Sequence, residues 1–259
     1  MSVKTKGFEW RVSANLTTNK NVITKLTDKE VISGTKRLKV GSDLYQWYLR
    51  DYAGVDAADG APLWNRDVLG ADGKPTGERT TPTKVYNQGT QYDSGSALPK
   101  FTGGFTNNFR YKRFDLTAFV FFSYGAKIYD SYYSSLSHAG STNGQNLSVD
   151  VYRSWKSPGD ITNIPKFMPT NTALGASTST RFLVDGSYMR LKNLTLGYDV
   201  DKALARKIGV SSARIFVGGE NILTLAKHKG MDPEVAISVL TSFDIPNVQT
   251  WSLCLNIGF

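Results

Sequence analysis

Asp232 and Glu234 form a pair of carboxylates in the segment KGMDPEV, and Asp185 stands just before a predicted strand. Two carboxyl groups do acid–base chemistry only when the fold holds them at a set separation. Neighbours in a turn that contains proline give no evidence of such a separation, so we interpret this pair as part of a turn. The sequence also lacks the HExxH, Walker, GxSxG and CxxC patterns. We therefore predict no catalytic residue, no metal site and no cofactor, and we interpret the chain as not an enzyme.

Cys254, His138 and His228 are the other side chains that could do chemistry, and they are few. A single cysteine cannot form an internal disulfide. A lone thiol in a chain with two histidines is interpreted as a packing residue rather than a nucleophile.

Aromatic residues in the predicted loops are the candidates for ligand contact. Their rings could stack on sugars or pack on peptides. The alternative, that they pack one loop against another, stays open. The candidates are Tyr45, Trp47, Tyr48, Trp64, Tyr129, Tyr132 and Tyr133.

The last segment, NVQTWSLCLNIGF, alternates strictly between two kinds of side chain. Small and polar residues occupy one parity, which is typical of a strand with an apolar side. Trp251 and Phe259 lie about 26 Å apart along an extended strand, close to the ~25 Å apolar band of a membrane barrel. The segment resembles the assembly signal that ends bacterial outer-membrane barrels. The residues that carry this signal are Trp251, Leu253, Leu255, Ile257 and Phe259.

Five further segments alternate in the same way, at 8–18, 101–111, 114–124, 186–199 and 213–224. In the fourth, the apolar parity shifts near Asn193, which predicts a β-bulge there. The connections alternate between short turns and long polar stretches, among them a long irregular stretch from 20 to 99. That asymmetry is typical of a transmembrane β-barrel, with short periplasmic turns and long extracellular loops. We therefore predict an all-β, antiparallel transmembrane barrel segment of about six strands, with its C-terminus on the periplasmic side.

Composition agrees with a folded, β-rich protein and excludes some partners. Hydrophobic residues make up 40% of the 259 residues, with 24 glycines and 13 tyrosines. The formal net charge is +9, but the basic residues are spread along the chain rather than clustered, so we predict no nucleic-acid partner. No run approaches the ~18 apolar residues of a membrane helix. The start, MSVKTKGFEW, has no apolar central region of a signal peptide. Either the protein stays inside the cell or this chain is a piece of a longer one.

Several spaced segments together resemble the late barrel of SusC/RagA-type TonB-dependent outer-membrane receptors. They are YLRDYAGVDAADGAPLWN, LPKFTGGFTNNFRYKRFDLTAFVFFSYGAKIYD, LVDGSYMRLKNLTLGYDV, ARIFVGGENILTL and KGMDPEV. The resemblance covers nearly the whole chain, and the motifs occur in the family's order.

This resemblance implies that residues 1–259 are the C-terminal segment of a 22-stranded barrel, without the signal peptide, TonB box and plug. It implies a transporter in the outer membrane of a member of the Bacteroidota that imports glycans or peptides. The implied partners are a SusD-like surface lipoprotein, the remainder of the barrel and plug, TonB through the missing N-terminal part, outer-membrane lipid and the barrel-insertion machinery.

A soluble, lectin-like β-sandwich that binds carbohydrate is the alternative. It would explain the alternating strands and the surface aromatic residues. It would not explain long loops on one side only, or a chain that ends on Phe259.

Overall fold

A computed structural model describes residues 2–79, 82–228, 230–234 and 245–259. The strands, in chain order, are β1 (Ser2–Thr5), β2 (Phe8–Thr18), β3 (Glu30–Ser33), β4 (Lys36–Lys39), β5 (Gln46–Arg50), β6 (Tyr52–Val55), β7 (Pro62–Trp64), β8 (Asp67–Leu69), β9 (Pro75–Arg79), β10 (Gln91–Ser96), β11 (Phe101–Tyr111), β12 (Phe114–Tyr124), β13 (Lys127–Tyr129), β14 (Leu183–Asp185), β15 (Tyr188–Asp199), β16 (Ser212–Ala226) and β17 (Thr250–Gly258). The α-helices are α1 (Ser131–Leu136) and α2 (Lys202–Lys207), and the 3₁₀ turns are Tyr86–Gln88, Val149–Arg153 and Thr180–Phe182.

Seven strands form one antiparallel sheet, the main sheet, in the order β1-β2-β11-β12-β15-β16-β17. The predicted strands 8–18, 101–111 and 114–124 coincide with β2, β11 and β12. The other three predicted strands match β15, β16 and β17 to within two residues at each end. The sequence reasoning missed β1, a four-residue strand that pairs with the start of β2. The number of strands in a complete barrel, and its closure, stay predictions.

The register of the main sheet places the alternating apolar residues of all its strands on one face. Phe105 of β11 lies opposite Ala14 of β2 and Val120 of β12. Leu196 of β15 lies opposite Leu116 of β12 and Val217 of β16. A side-chain period of two, kept in register across the ladder, therefore gives the sheet one apolar face and one polar face.

The predicted bulge near Asn193 is confirmed. Phe119 of β12 lies opposite Asn193, whereas the next residue, Val120, lies opposite Leu191. Lys192 is thus the extra residue of β15. The bulge restores the apolar parity on both of its sides, which is why the parity shift was visible in the sequence.

The long stretch from 20 to 99 is not irregular, and that prediction was wrong. It contains a four-stranded sheet in the order β10-β5-β4-β3 and two small hairpins, β6-β7 and β8-β9. Each of these strands has at most six residues, so each offers few repeats of a period of two. The pairs β3-β4, β6-β7 and β8-β9 join strands that are close in the chain, whereas β5 pairs with the distant β10.

The buried core of the described chain lies in these loop segments rather than under the main sheet. It consists of Trp47, Leu49, Ala97, Tyr129 and Phe182. The core joins the loop before β11 to the loop between β12 and β15, so the two long loops fold as one body. No helix of the described residues is long and apolar enough to cross a membrane.

Candidate functional site

The polar face of the main sheet carries amides, hydroxyls and paired charges. In its middle, the Thr117 hydroxyl donates to the Asn108 side chain at 2.9 Å, and the Asn15 side chain accepts from the Gly104 backbone N–H at 2.7 Å. Near the end formed by the short turns, Arg214 makes two hydrogen bonds to Asp115, at 2.7 and 2.8 Å. A face of this chemistry suits contact with water or with another polar surface.

Arg190 lies at the other end of the polar face, and it anchors the segment after β16. The residue is 2% exposed. Its guanidinium donates to Asp232 at 2.5 Å and to Glu234 at 2.7 Å, and its Nε donates to the Thr224 hydroxyl at 2.9 Å. Lys192, the bulge residue, reaches Glu234 at 2.5 Å. We name these residues the Arg190 cluster: Arg190, Lys192, Thr224, Asp232 and Glu234.

Asp232 and Glu234 are therefore charge partners of Arg190, not an acid–base pair. Burial by itself would raise the pKa of Asp232. Hydrogen bonds from the backbone N–H groups of Glu234 and Asn247, and from Arg190, outweigh burial and hold that pKa below its ordinary value. An ionised Asp232 that accepts hydrogen bonds from these three donors is suited to holding the loop in place, not to transferring protons.

A second set of contacts joins the segment after β16 to the loop between β12 and β15. The His228 ring lies 2.7 Å from Asp130, a buried carboxylate that also caps the start of α1. Lys227 lies 2.9 Å from Asp185. Asp185 is thus also a structural partner, and His228 is committed to a contact between loops.

The aromatic residues that the sequence singled out do not form one exposed surface. Trp47, Trp64 and Tyr129 are buried, at 1, 1 and 3% exposure. The Trp47 indole N–H donates to the Lys127 carbonyl at 2.9 Å, so it ties the two long loops together. These rings serve loop packing, the alternative that the sequence left open, because their faces are covered by protein.

The remaining candidates are closer to the surface. Tyr45 and Tyr133 are partly buried against the core. Tyr48 is partly buried beneath the Arg37 guanidinium, which lies 4.4 Å from the centre of its ring. Tyr132 is 36% exposed and borders a cavity of about 1410 Å³. These rings stay predictions as ligand contacts, with Tyr132 the best placed of them.

That cavity is bordered by side chains from both faces of the main sheet. Met189 and Leu225 come from the apolar face, and Arg190 and Thr224 from the polar face. A space that reaches both faces lies at the rim of the sheet, where the strands give way to the loops. We therefore interpret it as a gap at the rim and not as a ligand site within the polar face.

Among the described residues, no group of three or more His, Cys, Asp or Glu side chains is placed to hold a metal ion. Cys254 lies on the polar face of β17, opposite Phe216. The His138 ring accepts from the backbone N–H of Gly140 at 3.2 Å. Sequence reasoning missed Arg190 because its acidic partners lie 42 and 44 residues away along the chain.

Known proteins similar to this chain were found among curated sequences and among solved structures. No protein-family model matches the chain. Over its whole length the chain is 28% identical to TonB-dependent receptor P3 of Formosa agariphila. It is 27% identical, over 99% of its length, to TonB-dependent receptor SusC of Bacteroides thetaiotaomicron. The chain is related to the SusC-like TonB-dependent receptors. It spans about a quarter of these SusC-like relatives, 27% of the first and 25% of the second.

Solved structures show the same fold. The chain superposes over its whole length on a chain of the RagAB peptide transporter, with a TM-score of 0.84 and 24% identity, and covers 28% of that chain. A second match, to the RagAB peptide importer in its closed-closed state, has a TM-score of 0.82 and 25% identity. The β-rich fold of this SusC-like chain is thus one already seen in a larger assembly.

Proposed function

We propose that the chain forms part of the barrel wall of a SusC-like TonB-dependent transporter in an outer membrane. The observation that carries this proposal is the apolar face of the main sheet. On β17, Trp251, Leu253 and Leu255 are 56, 75 and 58% exposed. No second sheet of the described residues covers this face, which disfavours the soluble β-sandwich.

The dimensions of the sheet support a membrane position. β11 has 11 residues, or about 34 Å along the strand and about 26 Å along the normal at a tilt near 40°. Aromatic side chains stand at both ends of the apolar face: Phe101 stacks on Tyr124 with ring centres 5.0 Å apart, and Phe114 contacts Tyr198 at 4.7 Å. Such pairs suit the two interfaces of a bilayer.

The open edges of the main sheet support a larger barrel. β17 is the last strand in the sheet order and has a partner on one side only within the described residues. An unpaired edge in lipid would leave backbone groups without hydrogen bonds. We propose that further strands of the receptor continue the sheet to the 22 implied by the family, that a plug fills the lumen, and that the polar face lines that lumen.

We propose in the same way that the protein imports glycans or peptides with a SusD-like lipoprotein, and is driven by TonB. The length of the loops supports an extracellular position for the folded loop body. The short turns and the C-terminus would then face the periplasm. The chain's relatives carry the TonB-dependent receptor name, and RagAB is named as a peptide transporter.

Two substitutions on β17 test the assignment of the faces. Leu253→Arg would place a charge in lipid near the middle of the strand and should cost about 2–4 kcal/mol of unfolding free energy. Ser252→Arg would place the same charge on the polar face, opposite Gly218, and should cost much less. Urea unfolding in lipid vesicles measures both.

Cell fractionation and gel migration complete the test. The full gene product should enter the detergent-insoluble outer-membrane fraction and migrate differently before and after boiling in SDS. A protein that stays in the soluble fraction, or equal damage from both β17 substitutions, would overturn the proposal.

A further inference from the structure

The end of the main sheet that carries the short turns is built differently from the loop end. We call it the short-turn end, and it comprises the turn at 6–7, the turn at 112–113 and the connection 200–211 with α2. Its turns are tied together: the Lys112 backbone N–H donates to the Gly7 carbonyl at 3.0 Å, and Arg113 pairs with Asp201. The surface at this end is therefore held in place by the sheet.

α2 is fixed at this end by its first residues. The Asp201 side chain accepts from the backbone N–H of Ala203 at 2.7 Å and so caps the helix. The same carboxylate pairs with Arg113 of the neighbouring turn. Ala205 is fully buried against the sheet. The rest of the helix is left at the surface.

The exposed part of α2 has an apolar flank. Leu204 lies in α2, and Ile208 is the residue that caps its C-terminal end. The two are four residues apart, the spacing that places side chains on one side of a helical turn. They are 54 and 67% exposed. Lys202 lies two residues before Leu204, and Arg206 lies two residues before Ile208. At about 100° per residue, this spacing places the two cations on roughly the opposite flank. Two bulky aliphatic side chains beside cations are the pattern of a helix that lies at a membrane surface.

The cations of this end exceed their acidic partners. The ion pairs here join Arg113 to Asp201, Arg214 to Asp115 and Asp199, and Arg110 to Asp199. Within the described residues these pairs leave several exposed cations without a carboxylate partner. They are Lys6, Lys112, Lys202, Arg206 and Lys207. Such a set attracts an anionic surface.

We propose that the short-turn end docks on the anionic phospholipid headgroups of the leaflet at that end, with α2 as an interfacial anchor. This inference rests on the proposed membrane position of the main sheet. Leu204 and Ile208 enter the boundary between headgroups and acyl chains, while Lys202, Arg206 and Lys207 meet the phosphates.

An aromatic zone at the short-turn end of the apolar face supports this occupant. Tyr198 lies on that face four residues before α2 begins, and the centres of its ring and the Phe114 ring are 4.7 Å apart. Tyr111, beside Phe114 in the sheet, is 53% exposed. Lys112 Nζ lies 5.3 Å from the centre of the Tyr111 ring. The apolar face, an aromatic zone and a cationic rim thus follow one another, which is the order of layers in a bilayer.

Titration with phosphatidylglycerol tests the proposal. The full gene product, purified in detergent, is titrated with fluorescent phosphatidylglycerol and with phosphatidylcholine of the same chains. We expect a preference for phosphatidylglycerol. Replacing Lys202, Arg206 and Lys207 by Gln should weaken it by about fivefold for each cation removed. Replacing Leu204 and Ile208 by Ser should weaken retention of both lipids.

A matched variant replaces Lys25, Lys29 and Lys156, three exposed lysines of the loops, by Gln. It changes the net charge equally and should keep the parent's affinity. Equal loss in both triple variants, an unchanged affinity in the α2 variant, or no lipid preference together with cross-linking of an acidic protein at Lys207 would each overturn the inference. Outer-membrane fractionation and boiling-dependent migration should stay unchanged in every variant. A failure of those two tests in the parent would instead refute the proposed function.

Discussion

At the residue scale, Arg190 is the side chain on which the loop end of the polar face depends. It is a buried cation that meets two carboxylates and a hydroxyl from segments far along the chain. Buried charge pairs contribute little net stability compared with apolar packing, but breaking one leaves the other charge uncompensated. The cluster is therefore a device for fixing the position of residues 230–234 and 245–247.

We predict that Arg190→Met will destabilise the protein by about 3–5 kcal/mol, because Asp232 loses its counter-charge and Glu234 keeps only Lys192. Urea unfolding in lipid vesicles measures the loss. Arg153→Met is the matched control, since the Arg153 side chain is 73% exposed where it pairs with Asp150. The control should cost less than about 1 kcal/mol, and equal losses would show that burial of Arg190 does not matter.

Asp185 gives a prediction about pH. Burial opposes ionisation of this carboxylate, but hydrogen bonds from Ser187 and Lys227 outweigh it and lower its pKa from 3.8 to about 2. A folded-state pKa below the unfolded value means that the ionised form stabilises the fold above pH 3.8 and that this stabilisation is lost as the pH falls through about 2.

Asp185→Asn should therefore lower the melting temperature at neutral pH, and the difference from the parent should close between about pH 4 and pH 2. Melting curves over that range measure it. Asp72→Asn, at a pair in which both side chains are more than half exposed, should differ little from the parent at any pH. A difference for Asp185→Asn that stays constant down to pH 2 would contradict the assignment.

At the scale of the element, glycines set how closely the strands approach. Gly103 lies in β11, where an added Cβ would stand 2.5 Å from the Asn15 backbone oxygen of β2 and 2.7 Å from the Phe122 ring of β12. Gly218 lies in β16, where the nearest atom would be the Ser252 hydroxyl at 3.1 Å. A backbone oxygen in a ladder cannot move aside, whereas a serine side chain can rotate.

Gly103→Ala should therefore cost about 1–3 kcal/mol through strain between β2 and β11. Gly218→Ala should be neutral or slightly stabilising, because it restricts the unfolded chain without a fixed clash. Unfolding free energies of the two variants decide this. A neutral Gly103→Ala would show that the strands can separate there at no cost.

At the scale of the whole molecule, the closing strand has two possible roles, in stability and in assembly. Phe259 is 97% exposed, so it contributes little packing to the folded sheet. We propose that Phe259 belongs to an assembly signal together with Trp251, Leu253, Leu255 and Ile257, and that this signal is read before the strand is paired.

Phe259→Ala should change the unfolding free energy by no more than the ~0.5 kcal/mol typical of surface positions. The melting temperature should therefore stay nearly unchanged. The amount of protein in the outer membrane should nevertheless fall severalfold, measured by quantitative blotting of membrane fractions. Ile161→Ala, at a loop residue that is 99% exposed, should change neither quantity. The loop residue Leu240, another choice of control, lies outside the described residues. Normal membrane yield for Phe259→Ala would show that the terminal residue is not read.

The sequence by itself determined the six longer strands of the main sheet and the split between their faces, but not the four-residue β1. A strand of nine or more residues repeats its period of two often enough to be read locally, and the parity shift near Asn193 indicated even the bulge. Barrel closure and the full strand number are not determined by these elements.

Only the tertiary structure decided what the loops are. The strands between 30 and 96 are short, and the sheet they form is completed by the pairing of β5 with β10, about 40 residues later in the chain. Trp47 and Trp64 look the same in sequence whether they meet a ligand or a core, and folding buries both. Asp232 and Glu234 look like a carboxylate pair until Arg190 is brought to them from 42 and 44 residues away. Local spacing along a strand specifies the direction in which a side chain points. The residues that surround that side chain come from segments distant in the chain, and only the tertiary structure brings them together.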